Sequence, residues 1–244
     1  MDRRNFIKTT ALGVLATSLP LSSFTNSQSI STKELLGKGT PLLSIGQGYK
    51  LRPAAAAAFE NMKTAAQADG ILLKVVSSYR NYAHQNRIWE RKYKRFLESG
   101  LSPTSAIFKI IEYSTIPGTS RHHWGTDLDI IDGNPKVVGD VLVPTKFHGT
   151  GPFCDMKEWM KTNAHRYGFH LVYTNTLGRK GFKYEPWHYT YAPLSSQYLK
   201  EYKTLDIKTI LQEQQLMGSK HFNQEFINNY IEQNILDINP ILLR

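Results

Sequence analysis

The 244-residue chain has a single cysteine, Cys154, so it can form no intramolecular disulfide, no four-cysteine metal site and no Cys-x-x-Cys redox pair. Long apolar runs are missing too. None reaches the roughly 20 residues needed to span a bilayer, which excludes a polytopic membrane protein. Ser-x-x-Lys, Lys-Thr-Gly and Gly-x-Ser-x-Gly are all absent, which removes the familiar serine-nucleophile signatures. Acidic residues are scarce relative to basic ones, 20 against 30. What is present is the composition of a folded chain: 41% hydrophobic, 11% aromatic and 20% charged residues. The length suits one catalytic-sized domain with extensions.

The first residues read as an address. Arg3 and Arg4 precede Phe6-Ile7-Lys8, and an uncharged Ala/Leu/Val/Thr stretch runs to about Phe24. A basic head before a short, mildly apolar segment is an export signal rather than a membrane anchor, and the paired arginines resemble the twin-arginine type. The expected organisation is a signal over 1–28, a main domain over 29–200 and a helical C-terminal extension over 201–244. Without residues 1–28 the net charge falls from +10 to +8. That excess favours anionic partners, and export makes nucleic acid the least suitable of them.

Hydrophobic periodicity sets out the main domain. Pro53 opens a helix that closes at Asp69-Gly70, and Ile71–Ser77 reads as a buried strand. Residues 81–98 form an amphipathic helix whose polar face carries Arg87, Arg91, Lys92, Lys94 and Arg95. A helix is expected over 104–113, a strand over 126–131 and a helix over 153–167. Strands over 169–173 and 187–191 are joined by a Gly/Lys/Arg-rich turn, and the pattern is helical from Leu194 onward. Strands interspersed irregularly with helices imply an α+β fold.

Two segments carry the chemistry. Ser120-Arg121-His122-His123-Trp124-Gly125-Thr126-Asp127-Leu128-Asp129 packs two histidines and two aspartates beside a glycine, and Glu185-Pro186-Trp187-His188 follows some sixty residues later. Imidazole nitrogen and carboxylate oxygen are the usual non-thiolate ligands of zinc. A hydrolytic site needs three of them and a carboxylate outside the ligand set to move protons. His122, Asp129 and His188 can supply the ligands, and Glu185 the proton transfer. Asp127 and Asp129 would share one face of a strand, so periodicity does not choose between them. Glu185 and His188 would face opposite sides of a regular strand unless Pro186 kinks it.

Ser-x-His-x-x-Gly-x-x-x-Asp followed by Glu-x-x-His resembles the VanY-type D-alanyl-D-alanine carboxypeptidases, zinc peptidases that share the Hedgehog/DD-peptidase fold. Ser77-Ser78-Tyr79-Arg80-Asn81-Tyr82-Ala83-His84-Gln85 resembles the family's Ser-x-Tyr-Arg-x-x-x-x-Gln segment. The resemblance implies an antiparallel sheet flanked by helices, with one zinc ion in a cleft on the sheet. It implies His122, Asp129 and His188 as ligands, Glu185 as the catalytic base acting on a zinc-activated water, and Arg80 as the substrate-orienting arginine. Ser120 and Gln85 match positions near bound substrate. The implied partners are peptidoglycan stem peptides, with anionic wall polymers as candidates for the basic helix face, in the periplasm or cell-wall compartment.

Asp127 departs from the family, which commonly has a small residue there. It could support a ligand histidine from behind, bind a substrate amine or cap a turn. The other histidines, including His123, read as structural or exposed. A cysteine peptidase using Cys154, a D,D-dipeptidase or endopeptidase of the same fold, and a non-catalytic zinc-stabilised wall-binding module are the competing readings. The segments 101–119 and 134–152 are expected to line the cleft, and 201–244 to act as a lid or a packing extension.

Overall fold

The computed structural model describes residues 30–244; the signal expected over 1–28 lies outside them. In chain order the elements are α1 (Thr32–Leu35), β1 (Ser44–Gly46), β2 (Tyr49–Leu51), α2 (Pro53–Ala68), β3 (Leu73–Ser77), α3 (Tyr82–Glu98) and α4 (Pro103–Ile110). Then follow β4 (Asp127–Asp132), α5 (Cys154–Asn163), β5 (Phe169–Leu171), β6 (His188–Tyr191), α6 (Ala192–Tyr202), α7 (Ile207–Glu213) and α8 (Gln224–Tyr230). Local chemistry explains the ends. Pro53 and Pro103 occupy first-turn positions, where a missing N–H costs nothing. The Asn81 side chain accepts from the His84 N–H and starts α3, and Ser102 caps α4 in the same way.

β3, β4, β6 and β5 form a four-stranded antiparallel sheet in that order, and β1 and β2 make a separate hairpin. The α+β expectation therefore holds, with helices flanking an antiparallel sheet. Two apolar cores hold the helices in place. One packs Leu128, Ile130 and Tyr189 of the sheet against Phe59 and Met62 of α2 and Met156 and Met160 of α5. The other joins Trp89 and Tyr93 of α3 and Ile107 and Ile110 of α4 to the C-terminal helices.

Two local expectations shift. The helix expected to reach Tyr113 ends at Ile110. The one expected over 153–167 is α5 followed by a 3₁₀ turn, Ala164–Tyr167, that stops at left-handed Gly168. His122 and His123 lie ahead of β4 on a 3₁₀ turn, Arg121–Trp124. Gly125 closes that turn at φ +71°, where a Cβ would also fall 2.8 Å from Leu43.

The C-terminal segment is bound into the body of the molecule. Tyr202, Leu211, Phe226, Ile227, Tyr230 and Leu242 are buried in the same core as Trp89 and Ile110. The Tyr230 hydroxyl accepts from the Ile116 N–H at 3.0 Å, the Trp89 indole donates to the Met217 carbonyl at 2.9 Å, and Asn234 donates to the Ile111 carbonyl at 3.2 Å. Deleting residues 205–244 would expose this apolar surface, at about 25 cal/mol per Å² of lost burial. The expected outcome in a circular-dichroism melt is loss of the cooperative transition. A truncated chain that melts cooperatively near the full-length temperature would show that the segment is dispensable for folding.

Candidate metal centre

The centre is built by strand register. β4 and β6 pair antiparallel with Asp129 opposite His188 and Asp127 opposite Thr190, while β3 places Ser77 opposite Asp129. Because side chains alternate between faces, Asp127, Asp129, His188 and Thr190 share one face, and Leu128, Ile130 and Tyr189 go to the apolar core on the other. Glu185 lies before the strand rather than on it. A turn in which the His188 N–H donates to the Glu185 carbonyl at 3.1 Å folds its side chain back. That turn contains Pro186 and resolves the facing problem: Glu185 Oε2 and His188 Nδ1 are 2.9 Å apart.

His122 arrives from the 3₁₀ turn. Its Nδ1 is 2.8 Å from the Ser78 carbonyl, which can only accept, so that nitrogen carries the proton and Nε2 keeps its lone pair. Burial, then the Arg80 charge, pushes the His122 pKa down and keeps the ring neutral. His122 Nε2 lies 3.5 Å from Asp129 Oδ2, and His188 Nδ1 lies 3.6 Å from Asp129 Oδ1. One donor atom from each of His122, Asp129 and His188 falls within 4.8 Å of the others, and all three residues are buried. Asp129 Oδ1 is buried without a hydrogen-bond partner. Two imidazoles and a carboxylate with an unsatisfied oxygen suit zinc.

Asp127 stands behind this set. Its Oδ2 is 2.9 Å from His188 Nε2 and 3.0 Å from the Arg121 Nε donor, and Thr126 and Thr190 hydroxyls donate to Oδ1. Burial opposes its ionisation, but Arg121 and His188 outweigh that and hold the carboxyl well below its ordinary pKa. Of the three roles open to Asp127, supporting a histidine is the one its contacts match. With Nε2 engaged from behind, His188 turns Nδ1 toward Asp129 and Glu185. Against desolvation, hydrogen bonds to Asp127 and Glu185 and the Asp129 charge raise the His188 pKa, so the ring holds a proton where a metal would sit. Glu185 is shifted upward by burial, partly offset by His188.

A cleft of about 510 Å³ opens over this face. Arg80, Gln85, Ser120, His122, Asp129, Glu185 and His188 all line it, so every expected site residue is brought to one cavity. Arg80 is anchored by its backbone, its N–H donating to the His122 carbonyl at 3.1 Å, and its Nε has no partner. Gln85 donates to the Thr115 carbonyl at 2.9 Å, leaving Oε1 unpaired, and Ser120 Oγ is buried and unpaired. Segments 112–115 and 142–144 form walls, as expected, and so do Trp187, Tyr173 and Lys92. His123 is structural: Nδ1 donates to the Arg80 carbonyl at 2.6 Å and Nε2 accepts from the Gly118 N–H at 3.2 Å. Cys154 is half-buried against the Gly149 carbonyl and does not line the cleft.

Sequence reasoning passed over Arg121, Thr190 and Tyr173. Arg121 occupies the variable position of Ser-x-His, and Thr190 is two residues after His188, so period two alone would have placed it beside Asp127. Tyr173, edge-on to His188 at 5.0 Å between ring centroids, carried no signal beyond being aromatic.

An antiparallel sheet with a buried His/Asp/His donor set and an adjacent glutamate defines the class. Residues 48–194 match the VanY family model, described as D-alanyl-D-alanine carboxypeptidase, and the chain belongs to that family. It is 29% identical over 139 residues to a D-alanyl-D-alanine carboxypeptidase of Enterococcus faecalis, covering 56% of this chain and 46% of that one. It is 31% identical over 123 residues to the bifunctional D-Ala-D-Ala dipeptidase and D-Ala-D-Ala carboxypeptidase VanXYC of Enterococcus gallinarum, covering 50% of this chain and 57% of the relative. The chain thus spans about half the length of these curated relatives. In fold it is similar to VanYB in complex with D-alanine-D-alanine, at TM-score 0.51 and 23% identity over 73% of this chain and 92% of that one. A zinc complex of a VanY D,D-pentapeptidase from the VanB-type vancomycin-resistance cassette matches at TM-score 0.52 and 24% identity, over 75% and 90% of the two chains.

Two outcomes follow from the donor geometry. Asp127→Asn is expected to weaken zinc binding about 10–100-fold, because the His188 orientation and the Arg121 counter-charge are both lost. Competition with a chromophoric chelator reads this, and unchanged affinity would remove Asp127 from the account. Since zinc must displace the His188 proton, affinity should rise with pH through the neutral range, and loading should release protons. Calorimetry in buffers of different ionisation enthalpy counts them; a pH-independent affinity would contradict the protonated His188.

Proposed function

We propose that the chain is a zinc-dependent D,D-carboxypeptidase that removes the terminal D-alanine from peptidoglycan stem peptides. The observation that carries the reading is the convergence of His122, Asp129 and His188 beside Glu185, a buried carboxylate outside the donor set, on the floor of one cleft. A purely structural metal would need neither Glu185 nor Arg80.

His122 through Nε2, Asp129 through its carboxylate and His188 through Nδ1 would hold the ion. When bound, zinc supplies Lewis acidity, polarising a carbonyl and making water acidic near neutral pH. The residues of the chain do the rest. Glu185 Oε2 takes the proton of the attacking water and returns it to the departing amine of the terminal residue. Its upward-shifted pKa suits a group that must both accept and release a proton. The Arg80 guanidinium, with Nε unpaired and Asp129 and Glu185 nearby, meets the negative charge that develops on the reacting carbonyl oxygen. Asp127 and Arg121 keep His188 oriented. Ser120 Oγ and Gln85 Oε1, both buried and unpaired, are poised to hydrogen-bond substrate. Substrates of this kind place the enzyme in the exported compartment, which the paired arginines Arg3 and Arg4 suit. Residues 29–200 then form the peptidase unit and 201–244 its packed extension. No helix among the described residues is long and apolar enough to cross a membrane.

The test is mass spectrometry of muropeptides ending in D-Ala-D-Ala, incubated with zinc-loaded protein, with chelator, and with Glu185→Ala. The expected result is loss of one terminal alanine, abolished by chelator and slowed about 10²–10⁴-fold by the substitution. Cleavage elsewhere with the same dependence would move the specificity to endopeptidase or dipeptidase. Bound zinc with no cleavage across a wider peptide panel would support the non-catalytic wall-binding module instead.

A further inference from the structure

Ile88, Lys92 and Phe96 recur at the i, i+4 spacing of α3 and turn toward the cleft, with Gln85 one turn earlier on the same face. Lys92 is the half-buried cation of this stripe, while Arg91 and Arg95 stand exposed at the rim. The charges around it are unevenly matched. Lys109 and Lys183 both pair with Glu112, at 3.0 and 2.8 Å, and Arg121 is committed to Asp127. Among the described residues Lys92 Nζ has a hydroxyl partner, Ser114 Oγ at 2.5 Å, and no carboxylate within ion-pair distance. Burial, together with the charges of Arg95, Arg80 and Arg91, pushes its pKa down, with Glu185 acting in the opposite direction. A half-buried ammonium facing three like charges is costly, and a bound anion would relieve that cost.

Apart from the exposed rim residues Arg91 and Arg95, the cleft cations with no ion pair among the described residues are Arg80 and Lys92. Carboxypeptidase chemistry involves two negative centres, the terminal carboxylate and the oxyanion that develops on the scissile carbonyl. Arg80 is fixed beside the metal donors by its backbone bonds to His122 and His123. That position suits the reacting carbonyl. Lys92, on the α3 face that lines the same cleft, is left for the other centre. We infer that Lys92 is a specificity-determining residue whose ammonium binds the free C-terminal carboxylate of the substrate peptide. The inference rests on the carboxypeptidase reading and names what that site selects. An ammonium is a compact point charge that can meet a single carboxylate oxygen without the planar fit a guanidinium demands. Ser114 Oγ holds the side chain in place, and Thr115, the next residue, anchors Gln85, so one short segment positions both cleft side chains.

The experiment reads binding apart from turnover. Zinc-loaded Glu185→Gln protein is titrated calorimetrically with an N-acylated D-Ala-D-Ala peptide as free acid and as C-terminal amide. The acid should bind at least about tenfold more tightly than the amide, the size expected of a charge-assisted hydrogen bond. Lys92→Met should erase that preference and Lys92→Arg should restore part of it, with zinc content and circular dichroism unchanged. In the otherwise wild-type enzyme, Lys92→Met should raise KM for the acid with little change in kcat. A preference for the acid that survives Lys92→Met overturns the assignment and leaves the proposed function standing. A preference lost in Lys92→Met, in a protein that hydrolyses no peptide, overturns the function and leaves the carboxylate site. If neither ligand binds, both fall.

Discussion

The Asp127 carboxylate, fully buried between Arg121 and His188, is the constraint on which the rest of the site depends. A charge taken out of water is costly unless opposite charge and hydrogen bonds surround it, and here Arg121, His188, Thr126 and Thr190 all do so. Satisfying Asp127 fixes the ring of His188, and fixing that ring aims Nδ1 at Asp129 and Glu185. The three acids Asp127, Asp129 and Glu185 face three basic side chains, Arg121, Arg80 and His188, and the acids are what raise the His188 pKa against its burial.

The sheet holds this arrangement through its other face. Leu128, Ile130 and Tyr189 are packed against α2 and α5, and a register slip of one residue would exchange them with Asp127, Asp129 and His188. Burying acids in the apolar core and exposing leucine in the cleft would be costly on both counts, so hydrophobic packing enforces the metal-site register. The second core, with Trp89, Tyr230 and Tyr202, does the same for the wall. It seats α3 and the 114–120 segment, and through them Lys92, Gln85 and Ser120.

Much of this was legible in the sequence because it depends on local pattern. Period two around Leu128 and Ile130 marks the strand, Pro53 and Asn81 mark helix starts, and His122, Asp129, Glu185 and His188 stand out as candidates that the family resemblance, rather than their spacing, selects. Between Asp127 and Asp129 periodicity was silent, and both do share a face. What separates them is the third dimension: Asp129 sits between Ser77 and His188 at the cleft, whereas Asp127 sits two pairs further along the strand, opposite Thr190 and against Arg121. The role of the tail was hidden for a similar reason. Its apolar residues announce helices but not that Tyr230 reaches Ile116, a contact set by long-range packing. Lys92 read as one more charge on a solvated face, and the difference between Lys92 and its neighbours depends on how α3 rolls against the cleft.

The central claim is that one zinc ion is held by His122 Nε2, an Asp129 oxygen and His188 Nδ1, with Asp127 behind the histidine. Crystallographic anomalous difference maps collected on either side of the zinc absorption edge test it most directly. The account predicts one strong peak in the cleft, within bonding distance of those three atoms, with the contact between Asp127 and His188 Nε2 retained. A peak bound by Asp127 or His123, or zinc confined to surface histidines, would contradict it.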